Sequence, residues 1–268
     1  MSTKSPSRPS SFFKYRPWLP QPKWQPNGSF KAVNYTEAML RESRFYCQGP
    51  RDFDDPHDSH TGAVPTGSEH DIDRFVLEDM ASVTVAMRRS GLTSLTQLDT
   101  VQTPEADVAL RHLAGRAERR NYRILCLSVS CDSELMWAFY ADYHRGICLE
   151  CDGAATCFDG AEEVRYAEGP PSNRTDEARP VHADALEKSL AWQHQREWRL
   201  FFESELWPFP QSVLRRVILG YRFPEAAFDS LVQVLVARKY RVEIAQMQRL
   251  PNSYQFLPVA RGTIAPTS

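Results

Sequence analysis

The chain has 268 residues, of which 42% are apolar and 25% charged, with 32 basic and 34 acidic side chains and a net charge of -2. That length suits one large domain or two small ones, with a core that needs no covalent staples. Near-neutral charge gives no sign of the strongly basic footprint of a nucleic-acid binder and leaves room only for a local basic patch. No apolar run approaches the roughly 18–20 residues of a membrane helix.

Residues 1–11 are rich in Ser and Pro and hold no hydrophobic stretch. They read as a disordered leader rather than a secretory signal, which points to the cytoplasm and to reduced thiols. Ser11 to Tyr15 reads as a first strand. Pro17, Pro20, Pro22 and Pro26 then impose an extended, irregular stretch, because each fixes φ and removes a donor. Asn34 to Ser43 suits a short helix and Arg44 to Gln48 a strand. Gly49 to Gly67 is a loop of Asp, His, Pro and Gly, long enough to suggest function. Ile72, Phe75, Val76, Met80, Val83 and Met87 follow helical spacing. Thr103-Pro-Glu opens another helix, running to Arg119 with a basic face.

Arg123 to Val129 is an apolar strand. Asp132 or Ser133 caps a helix ending near His144, with Gly146 as its stop. Ile147 to Glu150, Val164 to Tyr166, Glu197 to Phe202, Val213 to Leu219 and Val242 to Met247 read as strands. Ala183 to His194 and Pro224 to Arg238 read as helices. The pattern predicts an α+β fold: a single domain over 12–257, with a mixed or antiparallel-rich sheet, surrounding helices, and a tail over 258–268. No glycine-rich phosphate loop is present.

Cys126, Cys131, Cys148 and Cys151 have a superficially zinc-like spacing. Cys148 and Cys151 fall on a strand, however, where positions three apart face opposite sides, so no structural zinc is expected. Buried free thiols are the expectation for these cysteines.

Four constellations can carry chemistry. The densest is Leu135 to Gly146, where Trp137, Tyr140, Tyr143 and His144 suit either a core or a surface for stacking a planar ring. Met136, Tyr140 and Tyr143 share one helical face, as do Trp137 and His144. The second is Arg51 to His60, with four Asp and two His, suited to a turn, a hard cation or a substrate hydroxyl. In the third, Arg196-Glu197-Trp198-Arg199, a carboxylate between two Arg can stabilise a cation or act as a base. In the fourth, Lys14 and Arg16 close the first strand, where a cation can hold a phosphate.

Taken in order, these segments resemble the bacterial domain-of-unknown-function family 2971. The resemblance runs from Phe13 to Leu219. It is carried by Phe13-Lys-Tyr-Arg16, Phe45-Tyr-Cys-Gln, Phe53-Asp-Asp-Pro-His-Asp58, Cys126-Leu-Ser128, Trp137 to Ile147 with Glu150, His194 to Arg199, and Val217 to Gly220. The chain departs from that pattern at Asp54, His57 and Phe139, where the family has Asn, Phe and His.

The order of elements is similar, more remotely, to ADP-ribosyltransferases, which implies an enzyme of that kind acting as a bacterial toxin or defence effector. Those enzymes place a His or Arg on a first strand, a Ser, Thr or Tyr on a second and a Glu on a later one. The resemblance implies NAD as cosubstrate, gripped by Arg16 with Lys14 nearby. It implies Tyr46 lining the nicotinamide pocket, Glu197 stabilising positive charge at the ribose, and Trp137, Tyr140 or His144 completing the site. Asp54, Asp55, His57 and Arg199 would form a substrate or structural loop. The acceptor is open: protein, nucleic acid or small molecule, with no membrane partner. Two other readings stand beside it. In one, Asp55, Asp58, Glu150 and Glu197 hold a metal ion in a hydrolase or nuclease. In the other, the protein is a non-catalytic sensor or interaction protein in bacterial defence or toxin systems, and its aromatic helix is only core.

Overall fold

The alternation read at Ser11–Arg16 becomes a strand with two buried faces in the computed structural model, which describes residues 7–25, 29–53, 55, 58, 122–169 and 184–265. The helices expected around 72–87 and 103–119, together with Asp54, His57 and His60, lie outside the described residues. In chain order the elements are β1 (Ser11–Arg16), β2 (Gln21–Trp24), β3 (Phe30–Val33), α1 (Tyr35–Glu42), β4 (Arg44–Tyr46), β5 (Arg123–Ser128), α2 (Glu134–Tyr140) and β6 (Ile147–Asp152). They continue with β7 (Glu162–Glu163), β8 (Arg165–Ala167), β9 (Glu187–Ser189), β10 (Glu197–Phe202), β11 (Leu206–Pro208), β12 (Leu214–Leu219), α3 (Phe228–Ala237), β13 (Val242–Arg249) and β14 (Phe256–Ile264).

The fold is a sheet-rich α+β arrangement. Its centre is an eight-stranded mixed sheet in the order β14-β13-β12-β6-β1-β5-β10-β7, in which β12 and β13 run parallel. Phe12, Leu125, Leu127, Leu149, Trp198, Leu200 and Val217 leave one face and bury against α1 and α3 through Met39, Leu40, Leu231, Val234 and Leu235. Phe13, Tyr15, Cys148, Ile218 and Met247 leave the other face and meet Met136, Trp137 and Ala141. Cys148 and Cys151 therefore sit in different cores, as expected of strand residues three apart. Local chemistry sets the ends of α1: the Asn34 side chain accepts from the Glu37 N–H, and Ser43 closes the helix at φ 53°.

The chain divides into two compact units: Met1–Gln48 with Ile124–Val164 and Ala191–Ser268, and Gly49–Arg123 with Arg165–Leu190. Several local expectations change. The proline-rich stretch contains a hairpin, β2 against β3, with Gln21 opposite Val33. Residues 258–264, read as tail, belong to β14, which registers on β13 from Val242↔Ile264 to Arg249↔Phe256. The helix expected over 183–194 is instead two 3₁₀ segments, Asp184–Leu186 and Leu190–Gln195, with β9 between them. Here pairing overrides propensity: β9 lies parallel to β8, with Lys188 buried on Asp58 at 3.0 Å in the same unit.

The aromatic helix is also shorter than expected. It ends at Tyr140, and Asp142, Tyr143 and His144 follow with φ of 49°, 51° and 67°. This left-handed run puts Tyr143 outward at 68% exposure while Met136 is buried, so the two do not share a face. Gly146 is needed for close approach rather than for φ. A Cβ there would lie 2.2 Å from the Arg16 carbonyl oxygen.

Candidate functional site

Two alternate residues on β1, Lys14 and Arg16, are polar among apolar neighbours and leave the same side of the strand. What they meet follows from a break in the sheet. β1 registers on β6 at every residue from Ser11↔Asp152 to Arg16↔Ile147, but its register on β5 is the single pair Phe13↔Ser128. Beyond that pair the two strands separate. Ile124 and Cys126 present their backbone groups to one edge of β5. There Ile124 exchanges two hydrogen bonds with Gln48, at 2.8 and 2.9 Å, and the Cys126 carbonyl accepts the Lys14 ammonium at 2.8 Å. A side chain of β1 thus stands where a backbone donor would otherwise be.

Arg16 lies past this split. Its Nε is buried and has no hydrogen-bond partner, and no carboxylate forms an ion pair with its guanidinium among the described residues. Burial lowers its pKa from the usual value, and the one side chain acting the other way is Tyr46. Tyr46 is 37% exposed and lies on β4, which pairs with β11 and not with β1. The hydroxyl residue on the strand next to β1 in the sheet is Ser128, a position that sequence reading quoted in a motif but gave no role.

Burial also pulls the Lys14 pKa down. Cys126 and then Glu197 oppose that shift, while Arg16 adds to it. Lys14 is therefore the group that feels both Arg16 and Glu197. Glu197 begins β10 and is 4% exposed. Arg199, two residues on and so on the same side, donates Nε and Nη2 to the two Glu197 oxygens at 2.9 and 3.2 Å. Trp198 and Leu200 between them point into the core that holds Phe12. Alternation thus sends Lys14 and Arg16 to one side of the sheet and Glu197 and Arg199 to the other, with Lys14 and Glu197 close enough to interact electrostatically.

The start of β10 is held in place. Gln195 accepts the Ser128 hydroxyl proton at its carbonyl, 2.8 Å, and donates its amide to the Tyr140 hydroxyl at 2.7 Å. Arg196 then turns the chain with φ 44°. Tyr140 therefore touches the β10 neighbourhood, whereas Trp137 and His144 do not. Trp137 is 1% exposed, donates its indole N–H to the Cys131 carbonyl at 2.8 Å and meets Tyr15 edge-on. It is a core residue and not an open stacking surface. His144 stacks on Trp137 at 6.5 Å and tilts against Phe256. Burial lowers its pKa, Glu134 opposes the shift and Arg222 adds to it.

Carboxylates of the metal reading already have cationic partners. Asp58 pairs with Lys188 at 3.0 Å, Glu150 with Arg216 at 2.6 Å, and Glu197 with Arg199. Asp55 is buried, and no cluster of metal-binding side chains occurs among the described residues. No described helix is long and apolar enough to cross a membrane. Comparisons with family models, curated proteins and solved structures gave no match.

Proposed function

We propose that this protein is an NAD-using, ADP-ribosyltransferase-like enzyme, a reading supported by the remote similarity of its element order to those enzymes. The observation that carries the reading is Arg16 on the first strand, at a split in the sheet: its Nε is buried without a hydrogen-bond partner, and its guanidinium has no anionic partner among the described residues. A buried cation with no partner is costly, and a phosphate is the anion that its planar fork matches. In this reading the dinucleotide lies along the split between β1 and β5. Arg16 and Lys14 hold its phosphates, and Tyr46 flanks Arg16. Glu197, oriented by Arg199, supplies negative charge where positive charge develops at the ribose. Ser128 is a positioning residue, since its hydroxyl holds the Gln195 carbonyl. The acceptor remains a protein, a nucleic acid or a small molecule, and a toxin or defence role belongs to the same proposal.

The test is NAD binding and nicotinamide release by purified protein, with and without chelator. Release that is insensitive to chelator is expected. Arg16→Met is expected to weaken NAD binding by about 10–100-fold, the worth of a charge-assisted hydrogen bond. The same variant is expected to melt no lower than wild type, because it removes a partly buried charge that has no anionic partner among the described residues. Unchanged NAD affinity in a folded Arg16→Met protein would refute the assignment. Release that stops with chelator would favour the metal reading instead.

A further inference from the structure

His194 is absorbed by neither core, yet its ring is held in one orientation. Its Nδ1 lies 3.2 Å from the Ala191 carbonyl oxygen. A carbonyl only accepts, so in the neutral ring Nδ1 carries the proton and Nε2 is a bare acceptor. That Nε2 is buried and has no hydrogen-bond partner among the described residues. Leaving a buried acceptor unsatisfied costs stability, and such a cost persists where a ligand completes the bond. Two aromatic rings flank the imidazole: Trp192 at 6.1 Å and 35°, and Phe139 at 6.4 Å and 53°. Phe139 is 64% exposed, an apolar ring turned to solvent beside a buried lone pair. The next two residues are fixed by the Gln195 contacts to Ser128 and Tyr140 and by the positive φ of Arg196, and Glu197 follows directly.

We infer that His194 Nε2 accepts a hydrogen bond from the amino group of a planar nitrogen heterocycle that stacks beside Phe139. An aromatic wall recognises the ring, and a single fixed acceptor recognises its N–H donor. Both ends of a nicotinamide dinucleotide carry this chemistry, the carboxamide of one ring and the amino group of the purine. The choice of ring rests on the transferase reading. The acceptor itself rests on the local geometry alone.

The experiment is calorimetric titration of the full chain with nicotinamide and, separately, with AMP, alongside NAD turnover. One of the two probes is expected to bind wild type, which identifies the ring. His194→Phe, which keeps an aromatic side chain and removes the acceptor, is expected to bind that probe about tenfold more weakly with no loss of melting temperature. Phe139→Ala, a change at an exposed side chain, is expected to weaken binding as well. If neither probe binds wild type, the inference is overturned, whatever NAD turnover shows. Equal affinity in His194→Phe and wild type also overturns it, and turnover of NAD by wild type would then leave the transferase reading standing. Should His194→Phe not fold, Phe139→Ala decides, and unchanged affinity there overturns the inference.

Discussion

Glu197→Gln is expected to lower nicotinamide release from NAD by about 10²–10³-fold, the scale seen when one preorganised electrostatic contact to a developing charge is removed. The carboxylate is buried, and Arg199 grips both of its oxygens, so its orientation is set before substrate arrives. The same pair makes the variant costly to fold. Removing one partner of a buried ion pair costs up to about 3–5 kcal/mol, less where the remaining charge keeps other partners. Turnover must therefore be read on the folded fraction. The double variant Glu197→Gln with Arg199→Gln removes both charges, so it should regain part of the lost stability while remaining inactive. Wild-type turnover in a folded Glu197→Gln protein would remove Glu197 from the mechanism.

Trp137→Ala is expected to destabilise the fold by about 3–5 kcal/mol, the range for truncating a large buried aromatic side chain. Trp137 fills the smaller core between Tyr15 and His144, and its N–H is satisfied by Cys131. The midpoint of urea unfolding measures the effect. The alternative role read from the sequence, an open surface for stacking a ligand ring, makes the opposite forecast: ligand affinity falls and the midpoint stays. A small shift in midpoint would therefore return Trp137 to the candidate site and recast the core around α2.

Much of the strand content was legible because alternation and apolar runs act locally. β1, β5, β6, β10, β12 and β13 fall where Ser11, Arg123, Ile147, Glu197, Val213 and Val242 begin such runs. The hairpin of β2 and β3 and the strand β14 were not legible. Pro22 and Pro258 argue against strands, yet both are tolerated where part of the strand edge needs no donor. Over 183–194 the helical pattern lost to the pairing of β9 with β8, because the Lys188–Asp58 contact involves residues far apart in the chain.

For the site, residue types were informative and roles were not. Lys14, Arg16, Glu197 and Arg199 stood out as charges within apolar strands, and that alone marked them. Trp137 and Tyr140 looked alike as helix aromatics, but only the structure buries the first in the core and ties the second to Gln195. By itself the sequence determined the sheet-rich α+β character and the charged ends of β1 and β10, because both follow from local pattern. Only the tertiary structure decided that β1 and β5 part after one residue pair, that Arg16 has no anionic partner among the described residues, and that Glu197 has Arg199 as its partner. Those facts depend on strand order and register, which are set by contacts between residues distant in the chain and leave no local trace.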